Sequence, residues 1–233
     1  MFSFFKKNKE RDGDSPALAS SGSSTSSTSL NTTEMFTKTV SVVLSALDAK
    51  GAYTKGRSGR ITYYAVKVAE QIGLSEEEVA KIEMASMLHD LGMNDVPDEI
   101  LYKEGKLTQD EYDLIKQHVL LGIKPLINID VLKPIIPIIM HHHEHWDGSG
   151  YPDNMKGERI PIGSRIILLV DAYDAMVSDR AYRGAKTHEE AVAEIKKCAG
   201  KQFDPNLTNV FDNICYDPLM GIETLEPDEY VLE

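Results

Sequence analysis

Residues 135–152 read IIPIIMHHHEHWDGSGYP, and the reading of this stretch decides the fold. Four isoleucines, Ile135, Ile136, Ile138 and Ile139, lead into His141, His142 and His143, then Glu144 and His145. The isoleucines argue for burial. Adjacent imidazoles buried without a shared cation leave ring nitrogens unsatisfied, which is costly. A metal ion removes that cost. The alternative, a solvated histidine patch, fits poorly beside Ile138 and Ile139. Asp147-Gly148-Ser149-Gly150-Tyr151-Pro152 follows as a turn-forming loop, which places a tyrosine beside the candidate centre.

Outward from this stretch the apolar spacing is helical. Phe36, Val40, Val43, Leu44 and Leu47 recur with helical period, as do Ile61, Tyr64, Ala65, Val68 and Ile72 before a stop at Gly73. Ser75 with Glu78, Thr108 with Glu111 and Thr187 with Glu190 are three capping boxes. They open helices carrying Val79 to Leu88, Tyr112 to Val119, and Ala191 to Cys198. Pro205 suits the first turn of a last helix. Ile166 to Val170 has strand-like content but runs on into Asp171 to Met176, which predicts a buried helix.

Further ligand types fall at chosen places. His89-Asp90 ends an amphipathic helix and precedes Leu91-Gly92, where glycine permits close backbone approach. His118 lies on the next long helix, and His188 reads as an ordinary first-turn residue. Asp171 and Asp174 share one face of an apolar helix, an expensive pairing unless it meets a cation or a donor. Mixed imidazole and carboxylate donors suit iron, manganese, zinc or nickel rather than calcium. Arg180 and Arg183, with Tyr182 between them, read equally as a phosphate clamp or a solvated turn.

The formal charge of −12, from 37 acidic and 25 basic residues, opposes a nucleic-acid partner. A small anionic ligand needs local cations to offset that field. No apolar run reaches the roughly 20 residues of a membrane span. Two cysteines, Cys198 and Cys215, make no disulfide framework and read as reduced core residues of a cytoplasmic protein. Residues 1–33 are expected to be a disordered basic terminus and a Ser/Thr-rich linker. Phe2, Phe4 and Phe5 among lysines leave weak peripheral membrane contact open. The domain is expected over 34–216, with an acidic tail over 217–233.

These residues resemble the HD-GYP family. His89-Asp90-Leu91-Gly92 is similar to its HD part, and His142-His143-Glu144 with Trp146 to Pro152 to its GYP part. Pro161, Arg165-Ile166, Asp171, Asp174-Ala175, Ser178, Arg180, Tyr182-Arg183, Gly200 and Phe203-Asp204-Pro205 continue the likeness, from about Tyr53 to Phe211. The resemblance implies an all-α HD-domain helical bundle with a metal site at its centre. It implies hydrolysis of cyclic di-GMP, a bacterial second messenger, with one or two divalent transition-metal ions, iron or manganese. By position the implied ligands are His89, Asp90, His118, His142, His143 and Asp171, with Asp90 bridging. Asp90, Tyr151 and Arg183 are implied in catalysis, and Tyr151, Arg180, Arg183 and Lys186 in substrate contact.

Two departures bear on activity. Tyr53-Thr54-Lys55-Gly56 is followed by Arg57, where the family places a metal-binding histidine. Arginine is always protonated and cannot ligate. Met93 replaces the usual lysine after the HD motif. Three readings therefore stay open: a cyclic di-GMP phosphodiesterase, a catalytically degenerate module that binds the dinucleotide or a signalling partner, and a hydrolase of another phosphate ester.

Overall fold

The structure is a computed structural model that describes residues 56–178 and 184–214. Its helices are α1 (Arg57–Gln71), α2 (Glu76–Leu88), α3 (Asp98–Leu101), α4 (Gln109–Lys116), α5 (His118–Ile123), α6 (Ile136–Met140), α7 (Ile162–Val177), α8 (His188–Lys197) and α9 (Pro205–Ile214). Three 3₁₀ turns at Leu91–Asp95, Asp130–Ile135 and Gly157–Arg159 join them. The described residues contain no strand, and Ile166 to Val170 lies within α7. The fold is the expected all-α bundle.

The local signals act as their chemistry predicts. At Ser75, Thr108 and Thr187 the hydroxyl accepts from the backbone N–H three residues on, and the glutamate there accepts from the cap's own N–H. Each box satisfies two N–H groups that a helix start otherwise leaves orphaned. Ile61, Ala65 and Val68 of α1 join Ile166, Leu169 and Val170 of α7, and Leu207 and Phe211 of α9, in one buried core. Helix α1 packs on α2 and α7, α8 and α9 close over α7, and α6 lies against α2, α5 and α7.

One expectation is corrected. The helix expected to carry His118 breaks at Gln117, whose N–H bonds the Leu114 carbonyl at 3.1 Å. The Ile115 carbonyl is taken by the His118 ring nitrogen at 2.7 Å, so α4 stops and α5 restarts at His118. Tyr112 of α4 is 44% exposed, with the cation of Lys116 4.6 Å from its ring centroid. Cys198 is the expected free thiol, half-buried at the C-cap of α8 and packed against the core.

The expected terminus and linker, the helix from Phe36, the Tyr53 to Lys55 segment, Arg180, Tyr182, Arg183, Cys215 and the 217–233 tail lie outside the described residues. No helix among the described residues is long and apolar enough to cross a membrane.

Candidate metal centre

Four elements deliver the candidate ligands. His89 and Asp90 leave the end of α2, His118 opens α5, His142 and His143 follow α6, and Asp171 projects from the middle of α7. A backbone contact brings the first two together. A Cβ on Gly92 would fall on the His118 carbonyl oxygen and lie 2.5 Å from the Gly122 nitrogen. Only glycine lets the turn after Asp90 lie flat on α5, and this places Asp90 beside His118.

The buried imidazoles are all held the same way. Nδ1 of His89, His118 and His142 donates to the carbonyl three residues back, of Ser86, Ile115 and Ile139, at 2.6, 2.7 and 2.6 Å. A carbonyl can only accept, so the Nδ1 hydrogen is fixed and Nε2 turns inward. His118 Nε2 and His142 Nε2 then face each other at 3.4 Å. In neutral rings those are two lone pairs, an arrangement that calls for a shared cation. Burial keeps His142 well below its ordinary pKa, and burial with the neighbouring His118 takes His143 down to about 3. Both rings are therefore neutral donors at pH 7.

Two donor groups result. The ligand atoms of His118, His142 and His143 lie within 4.8 Å of one another, and so do those of His89, Asp90 and Asp171. Asp90 lies between them, with Oδ2 3.2 Å from His89 Nε2 and Oδ1 3.7 Å from His118 Nε2. Burial opposes the charge on His89, but Asp90 and Asp171 outweigh it and raise the ring to about 10. Burial works against the Asp90 carboxylate too; His89, His118 and Arg57 hold it well below the usual range.

The first group fits a transition-metal ion: its three inward nitrogens form a preoriented imidazole face. The second group already meets a cation. Arg57, only 7% exposed, donates to Asp171 Oδ1 and, at 2.9 Å, to Asp174 Oδ2. Its Nε lies 3.8 Å from Asp90 Oδ2.

The loop after the histidines is built onto the centre. Tyr151 N–H donates to the His143 carbonyl at 3.1 Å, and its ring stacks on His143 with centroids 4.9 Å apart. Gly150 allows this approach, since a Cβ there would collide with the backbone of His143 to His145. Buried Glu144 accepts from the N–H groups of Asp153 and Met155 at 2.6 and 3.0 Å. His141 and His145 serve the loop rather than the centre: His141 Nε2 meets Asp153 at 3.0 Å and His145 Nδ1 meets Ser149 at 3.0 Å. Lys186 is half-buried near the end of α7, its N–H donating to the Met176 carbonyl at 2.9 Å.

A cavity of about 530 Å³ opens beside the centre, lined among others by Tyr112, Lys116, Leu120, His145, Tyr151 and Pro152. Lys116 Nζ lies 5.9 Å from the Tyr151 ring centroid. From the sequence, Tyr112 is named only as a helix residue and Lys116 is not named. Their signal was present as an i,i+4 aromatic–cation pair one turn before His118.

Residues 41–207 match the HD domain family. The chain is 41% identical over 175 residues to the cyclic di-GMP phosphodiesterase response regulator RpfG of Xanthomonas campestris, covering 72% of this chain and 45% of that protein. It is 34% identical over 185 residues to the 3'3'-cGAMP-specific phosphodiesterase 2 of Vibrio cholerae, covering 78% of this chain and 35% of that protein. The chain thus spans under half the length of these curated relatives. In fold it is similar to the V. cholerae cyclic GMP-AMP phosphodiesterase V-cGAP3, with a TM-score of 0.55 at 20% identity over 77% of this chain and 48% of that one.

Proposed function

The chain belongs to the HD domain family, in its HD-GYP group, and on that premise we propose that it is a metal-dependent phosphodiesterase acting on a cyclic dinucleotide, cyclic di-GMP. The observation that carries this reading is the facing pair of His118 and His142 nitrogens, completed by His143, whose ring stacks on the cavity-lining Tyr151. Asp90 would lend such an ion a carboxylate, and His89 with Asp171 forms the second donor group. A bound iron or manganese ion polarises a phosphoryl oxygen and acidifies water.

The chain's own residues do the rest. Tyr151 offers a ring face at the cavity, and burial raises its phenol above the ordinary value, so the hydroxyl stays protonated and can donate to a phosphoryl oxygen. Lys116 supplies a local cation against the overall charge of −12. Tyr112, which also lines the cavity, gives a second aromatic surface for a base. Arg180, Arg183 and Lys186 remain the proposed phosphate contacts from the segment after α7. Holding the diester beside the ion converts its cleavage to a positioned, first-order event.

A second reading, a module that binds the dinucleotide without turnover, is favoured by the salt bridge of Arg57 to Asp171. One experiment separates the two. The protein is supplied with manganese or iron and given cyclic di-GMP or 3'3'-cGAMP, and products are resolved by chromatography. The phosphodiesterase reading expects cleavage that disappears, together with most bound metal, in the His142→Ala/His143→Ala double variant. Metal content unchanged in that variant refutes the ligand assignment. Binding of the dinucleotide without cleavage in the wild type supports the second reading.

A further inference from the structure

We propose that the Arg57 guanidinium is a built-in replacement for a second metal ion, so that this protein holds one ion, at His118, His142 and His143, where its donors alone would suit two. This rests on the metal-centre reading above and goes beyond it by fixing the stoichiometry.

The argument is geometric. The second donor group turns two carboxylate oxygens toward His89 Nε2: Asp90 Oδ2 at 3.2 Å and Asp171 Oδ1 at 3.8 Å. Arg57 addresses the same two atoms. It donates to Asp171 Oδ1, and its Nε lies 3.8 Å from Asp90 Oδ2. An ion bound there would share its oxygens with a fixed positive charge. The guanidinium has no lone pair to offer the ion and cannot shed its proton.

Displacement is opposed as well. Arg57 is anchored from behind by Asp174 Oδ2 at 2.9 Å, and Asp174 is only 2% exposed. Arg60 braces the same carboxylate through Nε at 2.6 Å and Nη2 at 3.3 Å, and also reaches Ser178. Moving Arg57 out would strand Asp174 in the interior with one partner fewer, a costly state. The first donor group escapes this conflict. Its members are imidazoles, and the Asp90 oxygen on its side is Oδ1, 3.7 Å from His118 Nε2. Asp90 therefore joins one ion to one guanidinium instead of bridging two ions.

The test counts ions. The full chain is stripped with chelator, reloaded with manganese(II), and examined by elemental analysis and electron paramagnetic resonance. The wild type is expected to retain one equivalent with the signal of an isolated ion. Arg57→His should gain a second equivalent, with the broadened signal of a coupled pair. Arg57→Lys should stay at one, because the charge remains. Two tight equivalents in the wild type overturn the proposal while leaving the metal centre standing, and this result does not depend on any variant folding. Arg57→His that folds, by circular dichroism, yet stays at one also overturns it. A wild type that is folded but holds no tight metal removes the metal-centre reading and this proposal together.

Discussion

Gly92→Ala tests whether backbone contact between the turn after Asp90 and helix α5 assembles the centre. The added Cβ would fall on the His118 carbonyl oxygen, 2.5 Å from the Gly122 nitrogen and 2.8 Å from the His118 carbonyl carbon. All three are backbone atoms, so no side-chain rotation relieves the clash. Ordinary carbon contacts begin near 3.5 Å, so the turn must withdraw by roughly 1.5 Å. Overpacking of this kind costs about 1–3 kcal/mol, and a backbone-on-backbone clash belongs at the upper end. For a chain of this size each kcal/mol moves Tm by about 2–4 °C, so the expected loss is roughly 4–12 °C. The same displacement carries Asp90 away from His118 Nε2, now 3.7 Å from Oδ1, and metal affinity should fall with stability. Gly184→Ala is the control, since nothing lies within 4 Å of a Cβ there. Thermal melts and metal titrations on both variants decide the matter. If Gly92→Ala melts and binds metal like the wild type, the close approach does not organise the site and the reasoning fails.

Three further outcomes are expected. Glu83 is buried on α2 with Oε1 lacking a hydrogen-bond partner, and burial, aided by the charge of Glu70, raises it from 4.5 to about 7. The folded state thus binds this proton more tightly than the unfolded chain, so the acid's destabilising effect is absent below about pH 4.5, grows as pH rises and is complete above about pH 7. At 1.36 kcal/mol per unit the ceiling is about 3 kcal/mol, and solvent screening reduces it to about 1–2 kcal/mol. Glu83→Gln should therefore raise Tm at pH 8 and leave it unchanged at pH 4.5; equal melts at both pH values would show that the carboxyl is solvated. Glu144→Gln sets an amide N–H against one of the two backbone donors, of Asp153 or Met155, at a cost of about 1–3 kcal/mol. Metal content should hold while KM for cyclic di-GMP rises, and a change in metal with KM constant would assign Glu144 to the centre instead. Lys116→Ala should weaken cyclic di-GMP binding about tenfold and flatten its salt dependence, as loss of a half-buried cation from the cavity wall would; calorimetry at two salt concentrations reads both effects.

What could be read from the sequence tracks the range of the interaction. A capping box is written within four residues, so Ser75, Thr108 and Thr187 announce their helices directly. The burial of His142 was similarly legible, because Ile135, Ile136, Ile138 and Ile139 lead directly into it. The break at Gln117 was not, since it depends on the His118 ring turning back on Ile115, a choice set by the centre and not by propensity. Arg57 marks the limit most clearly. Its character as a non-ligand follows from its chemistry alone. Its partners, Asp171 and Asp174, lie 114 and 117 residues away, and only the packing of α1 on α7 puts the guanidinium on the oxygens that face His89. A histidine there would complete a metal site; an arginine on the same scaffold neutralises the same carboxylates without any ion. The pairing of half-buried Asp171 with buried Asp174 therefore does not by itself imply a second metal, because the chain supplies their counter-charge covalently.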